Sequence, residues 1–100
     1  MILIRDVFRL KFGKSREALA AWKETDDYFH KSGTTAMSMR VLTDLVGPYY
    51  TFVLETTAQS LGQYEEESRK AMADPQWRTL YQKFTPLAES GYREIFTIVQ

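Results

Sequence analysis

Alternating apolar and polar residues mark four segments of the chain as β-strands. In residues 2–12 the apolar side chains that share one face are interrupted at a single position, Asp6; they are Ile2, Ile4, Phe8, Leu10 and Phe12. The same period of two recurs in residues 36–45, 49–55 and 92–99. Because Val46-Gly47-Pro48 separates the second and third segments, we predict that these two strands form a hairpin.

Apolar residues at helical spacing predict a first helix between the first two strands. Ser15 is suited to be its N-cap, and Trp22 lies in the apolar stripe that follows. Gly33 is the expected residue just beyond the C-terminal end of this helix.

Two further helices are predicted between the hairpin and the last strand. Ser60 with Gln63 matches a capping box, and the helix that follows runs to about residue 73. Asp74-Pro75 is typical of a new helix start, with Asp as the cap and Pro in the first turn. Pro86 and Gly91 are expected to close this third helix.

This order of elements predicts one α+β domain over residues 1–100, a ferredoxin-like βαββαβ fold whose four-stranded antiparallel sheet carries its helices on one face. The other face is expected to expose six apolar side chains: Leu3, Val7, Leu42, Val53, Ile95 and Val99. Because monomeric proteins rarely expose so large a patch, we predict that a second copy covers it in a symmetric homodimer. The same face is expected to carry Arg5, Arg9, Arg40 and Arg93 beside Glu55, as ion pairs between subunits or as an anion site.

Composition excludes several classes of function. Thirteen basic and thirteen acidic residues give no net charge, which argues against nucleic-acid binding and a polybasic membrane anchor. The absence of cysteine excludes disulfides, thiolate metal sites and a cysteine nucleophile. The apolar segment at the start of the chain ends at Arg5 and Asp6 and is too short for a signal peptide. No apolar run is long enough to span a bilayer, and no nucleotide-binding motif occurs. We therefore expect a cytoplasmic protein that has no bound metal or cofactor.

Two ionisable residues are candidates for acid–base chemistry. Asp6 lies in an apolar strand face, and the predicted register places Glu94 on the same face, where a pair of carboxyl groups would favour a general base. Alternatively, a bulge shifts this face, or an arginine pairs with Asp6. His30 has a suitable pKa for a proton shuttle, yet an exposed histidine is also favoured at a helix C-terminus.

Six aromatic residues are candidates to line a pocket for a flat, apolar ligand, although the same pattern is typical of an ordinary core. They are Trp22, Tyr50, Phe52, Tyr64, Trp77 and Tyr81.

Segments at both ends of the chain resemble the dimeric α+β barrel superfamily, in particular NIPSNAP-like and antibiotic-biosynthesis-monooxygenase-like proteins. They are Phe8-Arg9-Leu10-Lys11-Phe12-Gly13-Lys14 leading into residues 18–22, then Asp74-Pro75-Gln76-Trp77 and residues 86–95. The resemblance implies two sheets packed face to face in a dimer, and a cavity between each sheet and its own helices. Its members include cofactor-free oxygenases, haem-degrading enzymes and isomerases. The haem-degrading branch uses an asparagine, which this chain lacks.

Besides a haem enzyme, a third hypothesis that the resemblance raises and the missing asparagine disfavours, two functions remain open from the sequence. The first is a homodimer that binds a small apolar or aromatic molecule, with cofactor-independent oxidation or isomerisation as the chemistry that the resemblance implies. The alternative is a non-catalytic interaction or structural module, favoured by the shortage of usual catalytic side chains.

Overall fold

A computed structural model describes residues 1–32 and 37–100 of the chain. Its elements are β1 (Ile2–Leu10), α1 (Ser15–Ser32), β2 (Ser38–Thr43), β3 (Thr51–Ala58), α2 (Leu61–Ala73), α3 (Pro75–Phe84), a 3-10 turn (Thr85–Leu87) and β4 (Ala88–Thr97). The predicted element order is confirmed, although α1 already includes Ser15, the residue predicted to precede it. Gly33, the expected end signal of α1, lies outside the described residues.

The four strands form one antiparallel sheet in the order β2-β3-β1-β4. In this order β1 and β3, which are not consecutive in the chain, lie side by side in the middle of the sheet. The arrangement confirms the predicted ferredoxin-like α+β fold.

One face of the sheet packs against the helices and forms the core. Leu10, Phe52 and Leu54 of the sheet are buried against Trp22 of α1 and Phe84 of α3. The Phe84 ring is fully buried and lies 5.0 Å from the Phe52 ring, centroid to centroid. Burial of these side chains stabilises the two layers against each other.

The opposite face of the sheet, here called the open face, is covered by none of the helices in the described part of the chain. Cross-strand pairs place Leu3, Val7, Val53, Leu42 and Phe96 on it. Leu42 is 37% and Phe96 45% exposed in the protomer.

A network of ion pairs crosses the middle of the open face. Glu55 is buried, and its carboxylate accepts hydrogen bonds from Arg5 Nε at 3.1 Å and from Arg40 Nε at 2.7 Å. Arg5 Nη1 also donates to Glu94 Oε1 at 3.2 Å. Burial by itself would raise the pKa of Glu55, but the two arginines outweigh it and hold the pKa below its usual value. Glu55 therefore pairs with arginines of its own protomer, whereas the sequence analysis predicts these ion pairs between subunits.

The sequence analysis assigns the side chains of β4 to the wrong faces of the sheet. The register sets Arg93 opposite Asp6 and Ile95 opposite Ile4, so both residues lie on the helix-covered face. Glu94, predicted beside Asp6, lies opposite Arg5 on the open face. Both faces of β4 carry apolar residues, so the period of two shows a strand but does not show which side faces the core.

Gly91 lies within β4, and not at the end of a helix as the sequence analysis predicts. A methyl group at this position would come 2.9 Å from Cδ1 of Phe8 and 3.2 Å from the carbonyl oxygen of Val7. The glycine is therefore explained by the close approach of the neighbouring strand. Glu89 is the extra residue of a nearby irregularity, because Arg9 pairs with Ser90 while Leu10 pairs with Ala88.

Candidate functional site

A cavity of about 350 Å³ lies between the sheet and its own helices. Its walls come from β1, β2, β3 and β4 on one side and from all three α-helices on the other. The lining residues are Asp6, Phe8, Trp22, Phe29, Met37, Met39, Leu54, Thr56, Tyr64, Glu67, Ser68, Ala71, Met72, Trp77, Tyr81 and Arg93. The volume and the mainly apolar wall are typical of small-molecule sites.

Helix caps fix the two helices that form one wall of the cavity. The Ser60 side chain accepts a hydrogen bond from the backbone N–H of Gln63, which starts α2 as predicted. Asp74 caps α3 by accepting from the backbone N–H groups of Gln76 and Trp77. These bonds satisfy donors that a helix start leaves free, so the sharp break between α2 and α3 is stabilised.

A hydrogen bond joins α1 to that break. Tyr28 Oη donates to Asp74 Oδ2 at 2.5 Å. This bond is the largest cause of a lowered pKa of the Asp74 carboxyl, and it raises the pKa of the Tyr28 hydroxyl. Asp74 thus couples the position of α1 to the start of the helix that carries Trp77.

Aromatic rings from α1 and α3 form one part of the cavity wall. The rings of Trp77 and Tyr81 stack at 4.8 Å between centroids, and Trp22 meets Tyr81 edge to face at 6.5 Å. Phe29 contacts Trp77 at 6.2 Å. The indole Nε1 of Trp77 is buried and has no hydrogen-bond partner among residues 1–32 and 37–100. Such a donor costs about 1–3 kcal/mol, which ring packing offsets.

An ion pair forms the polar part of the wall. Arg93 Nε donates to Asp6 Oδ1 at 2.6 Å, and the Asp6 side chain is only 14% exposed. The Arg93 guanidinium also lies 5.5 Å from the centroid of the Tyr64 ring, within reach of a cation–π contact. The hydrogen bond to Asp6 is the main cause of a raised pKa of Arg93. Asp6 therefore meets an arginine, the alternative left open above, and not the predicted carboxyl partner.

Two tyrosine hydroxyls at the cavity stay protonated over a wide pH range. Burial is the largest cause of a raised pKa at both Tyr64 and Tyr81. The charge of Asp6 raises both values further, while Arg93 opposes it. Both phenols are therefore hydrogen-bond donors at neutral pH.

The structure brings five of the eight predicted site residues to one cavity. They are Asp6, Trp22, Tyr64, Trp77 and Tyr81. His30 lies outside it, exposed on the last turn of α1 with Nδ1 at 2.8 Å from the carbonyl oxygen of Asp26. Phe52 is a fully buried core residue, and Tyr50, at φ 60°, contacts Phe12 before β3 begins.

Arg93 and Glu67 also line the cavity but were not predicted as site residues. Arg93 was assigned to the wrong face of β4, for the reason given above. The run Glu65-Glu66-Glu67 is typical of an exposed helix face, yet the Glu67 side chain is only 17% exposed. A sequence signal for Glu67 exists: it lies three residues after Tyr64 and four before Ala71, at helical spacing.

The described part of the chain contains neither a cluster of metal-ligating side chains nor a helix suited to a membrane. No group of three or more His, Cys, Asp or Glu side chains within it is placed to hold a metal ion. None of its helices is long and apolar enough to cross a membrane.

The fold and the cavity place the chain in a broad class of ferredoxin-like α+β proteins. SnoaB, a cofactor-independent oxygenase from Streptomyces nogalater, superposes with a TM-score of 0.73 at 15% identity, over 99% of this chain and 93% of that one. An antibiotic biosynthesis monooxygenase superposes with a TM-score of 0.74 at 12% identity, over the whole of both chains. At such identities the likeness shows the fold alone.

The sequence profile of the NIPSNAP family matches residues 4–100, so the chain belongs to the NIPSNAP family. A family protein of unknown function from Agrobacterium tumefaciens is 24% identical, with a TM-score of 0.84 over 96% of this chain and 86% of that one. No protein with a curated description matches the sequence at a significant level. The predicted resemblance to NIPSNAP-like and monooxygenase-like proteins is confirmed.

Proposed function

We propose that this protein is a homodimer that binds a small, largely apolar or aromatic molecule in the cavity between its sheet and helices. The observation that carries the proposal is the cavity itself, about 350 Å³ in volume and walled by the rings of Trp22, Trp77 and Tyr81. Flat aromatic ligands stack favourably on such rings, and apolar surface gains by leaving water.

The dimer half of the proposal depends on the open face. Its apolar residues surround the ion pairs of the buried Glu55, and a second copy is the simplest cover because a two-fold axis lets one patch pack on itself. A non-catalytic dimeric module, the second candidate, shares this interface but has no ligand.

The proposal also includes a catalytic role, which is more specific than ligand binding. Cofactor-independent oxidation by O₂ and isomerisation both begin when a base takes a proton from the substrate. The Asp6 carboxylate, one of two carboxylates in the cavity wall, is the proposed base, with the Tyr64 and Tyr81 hydroxyls as donors to a developing oxyanion. SnoaB, by its name an oxygenase without cofactor, is a precedent for such chemistry in this fold.

Binding is tested with a neutral planar probe, 1-naphthylmethanol, by thermal shift and calorimetric titration. We expect Ala71→Phe, which fills the cavity from α2, to abolish binding. Ala73→Phe, the same change at an exposed position of the same helix, should bind as the parent does. No binding by the parent, or equal binding by both variants, would overturn the ligand proposal and favour the non-catalytic module.

The dimer is tested by sedimentation at micromolar concentration. Phe96→Lys places a charge on the open face and is expected to give monomers, while Val99→Lys, at a 90% exposed position beyond β4, should leave the dimer intact. A parent protein that sediments as a monomer would overturn this half of the proposal.

A further inference from the structure

The charged groups of the cavity wall do not cancel. The wall contains two carboxylates, Asp6 and Glu67, and one guanidinium, that of Arg93. Arg93 donates to Asp6 at 2.6 Å, so these two charges are paired. One negative charge, that of Glu67, remains without a partner in the wall.

Glu67 has only a loose contact with a cation. Lys70 Nζ lies 3.7 Å from Glu67 Oε1, beyond hydrogen-bond distance, and the Lys70 side chain is 61% exposed to solvent. A pair at this distance, one turn apart on a helix and with a largely solvated lysine, contributes little. Among the residues that the structure describes, no other cation is paired with Glu67. The carboxylate of Glu67, whose side chain is only 17% exposed and lines the cavity, is therefore available to a ligand.

The aromatic wall favours the same sign of charge. The face of an aromatic ring carries partial negative charge and attracts cations. The Tyr64 ring already holds the Arg93 guanidinium at 5.5 Å from its centroid. Tyr64 and Glu67 stand three residues apart on α2, and both line the same cavity as the rings of Trp77 and Tyr81.

We propose that the ligand of this cavity is an organic cation, a small apolar molecule that carries a protonated amine or a quaternary ammonium group, with Glu67 as its counter-ion. The inference rests on the proposed binding function and adds the charge class of the ligand. The apolar body packs against Trp22, Trp77 and Tyr81, and the ammonium group lies between the Glu67 carboxylate and the ring faces. An anionic ligand of the same shape is repelled by Glu67.

Three probes of nearly equal shape test the charge preference: 1-naphthylmethylamine, 1-naphthylmethanol and 1-naphthoate. Near neutral pH the amine is a cation, the alcohol is neutral and the carboxylate is an anion. We expect calorimetric titration to give the order amine, alcohol, carboxylate, with the amine bound roughly tenfold more tightly than the alcohol. Equal affinities for amine and alcohol, or tighter binding of the carboxylate, would overturn the inference.

Glu67→Gln tests the assigned counter-ion. This variant should lose most of the preference for the amine over the alcohol and should bind the alcohol as the parent does. Glu65→Gln, the same change at an exposed position of α2 outside the cavity wall, should keep the full preference. If Glu67→Gln keeps the preference while thermal unfolding shows it to be folded, Glu67 is not the counter-ion.

The two proposals fail in different ways. Binding of the neutral alcohol reports on the cavity alone, so its loss would refute the proposed function. Binding of all three probes with no preference for the cation would leave the ligand cavity standing and refute only the charge class.

Discussion

Whether Gly91→Ala stabilises or destabilises the fold depends directly on the packing of the sheet around this position. Alanine has less freedom than glycine in the unfolded chain, so the change stabilises by about 0.4–1 kcal/mol wherever the folded backbone accepts it without strain. At Gly91 the new methyl group would lie 2.9 Å from Phe8 Cδ1, closer than carbon atoms normally pack. The two effects have opposite signs, and the distance decides between them.

The steric cost follows from what holds Phe8 in place. Its ring meets Phe84 edge to face at 5.2 Å and Phe52 at 6.4 Å, so a shift of the ring disturbs its contacts with both core residues. The carbonyl oxygen of Val7, 3.2 Å from the added carbon, belongs to the backbone and limits the other direction. Overpacking of this kind costs about 1–3 kcal/mol, which exceeds the entropic gain.

Urea and thermal unfolding at fixed protomer concentration measure the effect. We expect Gly91→Ala to lower the midpoint temperature by roughly 4–8 °C for each kcal/mol of net loss in a domain of this size. Gly62→Ala is the matched control because its nearest neighbour, Ser60 Oγ, would lie at 3.8 Å, and it should be stabilising.

A second background isolates the contact with Phe8. Valine at position 8 ends before the Cδ1 atom, so Phe8→Val removes the close contact while keeping a residue that suits a strand. In that background Gly91→Ala should cost at least about 1 kcal/mol less than in the parent. An equal cost in both backgrounds, or stabilisation in the parent, would refute the reasoning.

Two further predictions concern carboxyl groups with a lowered pKa, which stabilise the fold above their ordinary pKa and lose this effect as the pH falls through the lowered value. Tyr28→Phe removes the main cause of the lowered pKa of Asp74. Urea unfolding should therefore show a lower free energy of unfolding than in the parent at about pH 7, and this difference should shrink towards about pH 2. An equal difference at both pH values would contradict this. Glu55→Gln should cost about 1–3 kcal/mol at neutral pH, at the lower end because Arg40 is largely solvated, and this cost should also fall with pH. Parent-like stability of Glu55→Gln would show that the network on the open face contributes nothing.

The elements of the fold are predictable from the sequence because their signals are local. Ser60 and Asp74 cap the helices that their neighbours predict, and Asp74-Pro75 marks the break between α2 and α3. The period of two in β1 also singles out Asp6 as a polar residue on the helix-covered side. Each of these signals spans only a few residues, so none depends on distant parts of the chain.

The partners of the site residues are not predictable in the same way because they depend on strand register. Arg93 meets Asp6 only through the pairing of β1 with β4, which are 87 positions apart at this point. Ile95 and Phe96 are alternative apolar choices for the buried side of β4, so hydrophobicity does not select between the two registers. Gly91 is a sequence signal for the observed register, because the position beside Phe8 leaves no room for a larger side chain.

Strand β1 links the two halves of the proposed function through its alternation. Asp6 and Phe8 face the helices and form part of the cavity wall. Arg5, which precedes Asp6, and Val7, which lies between Asp6 and Phe8, face the open side. A partner that packs on Val7 and the Arg5–Glu55 pair would therefore hold the strand whose other side positions Asp6 against Arg93. For this reason the Phe96→Lys monomer should also be assayed with 1-naphthylmethanol: weaker binding at unchanged cavity residues would show that dimerisation orders the cavity, whereas parent-like binding would show that each protomer forms its site alone.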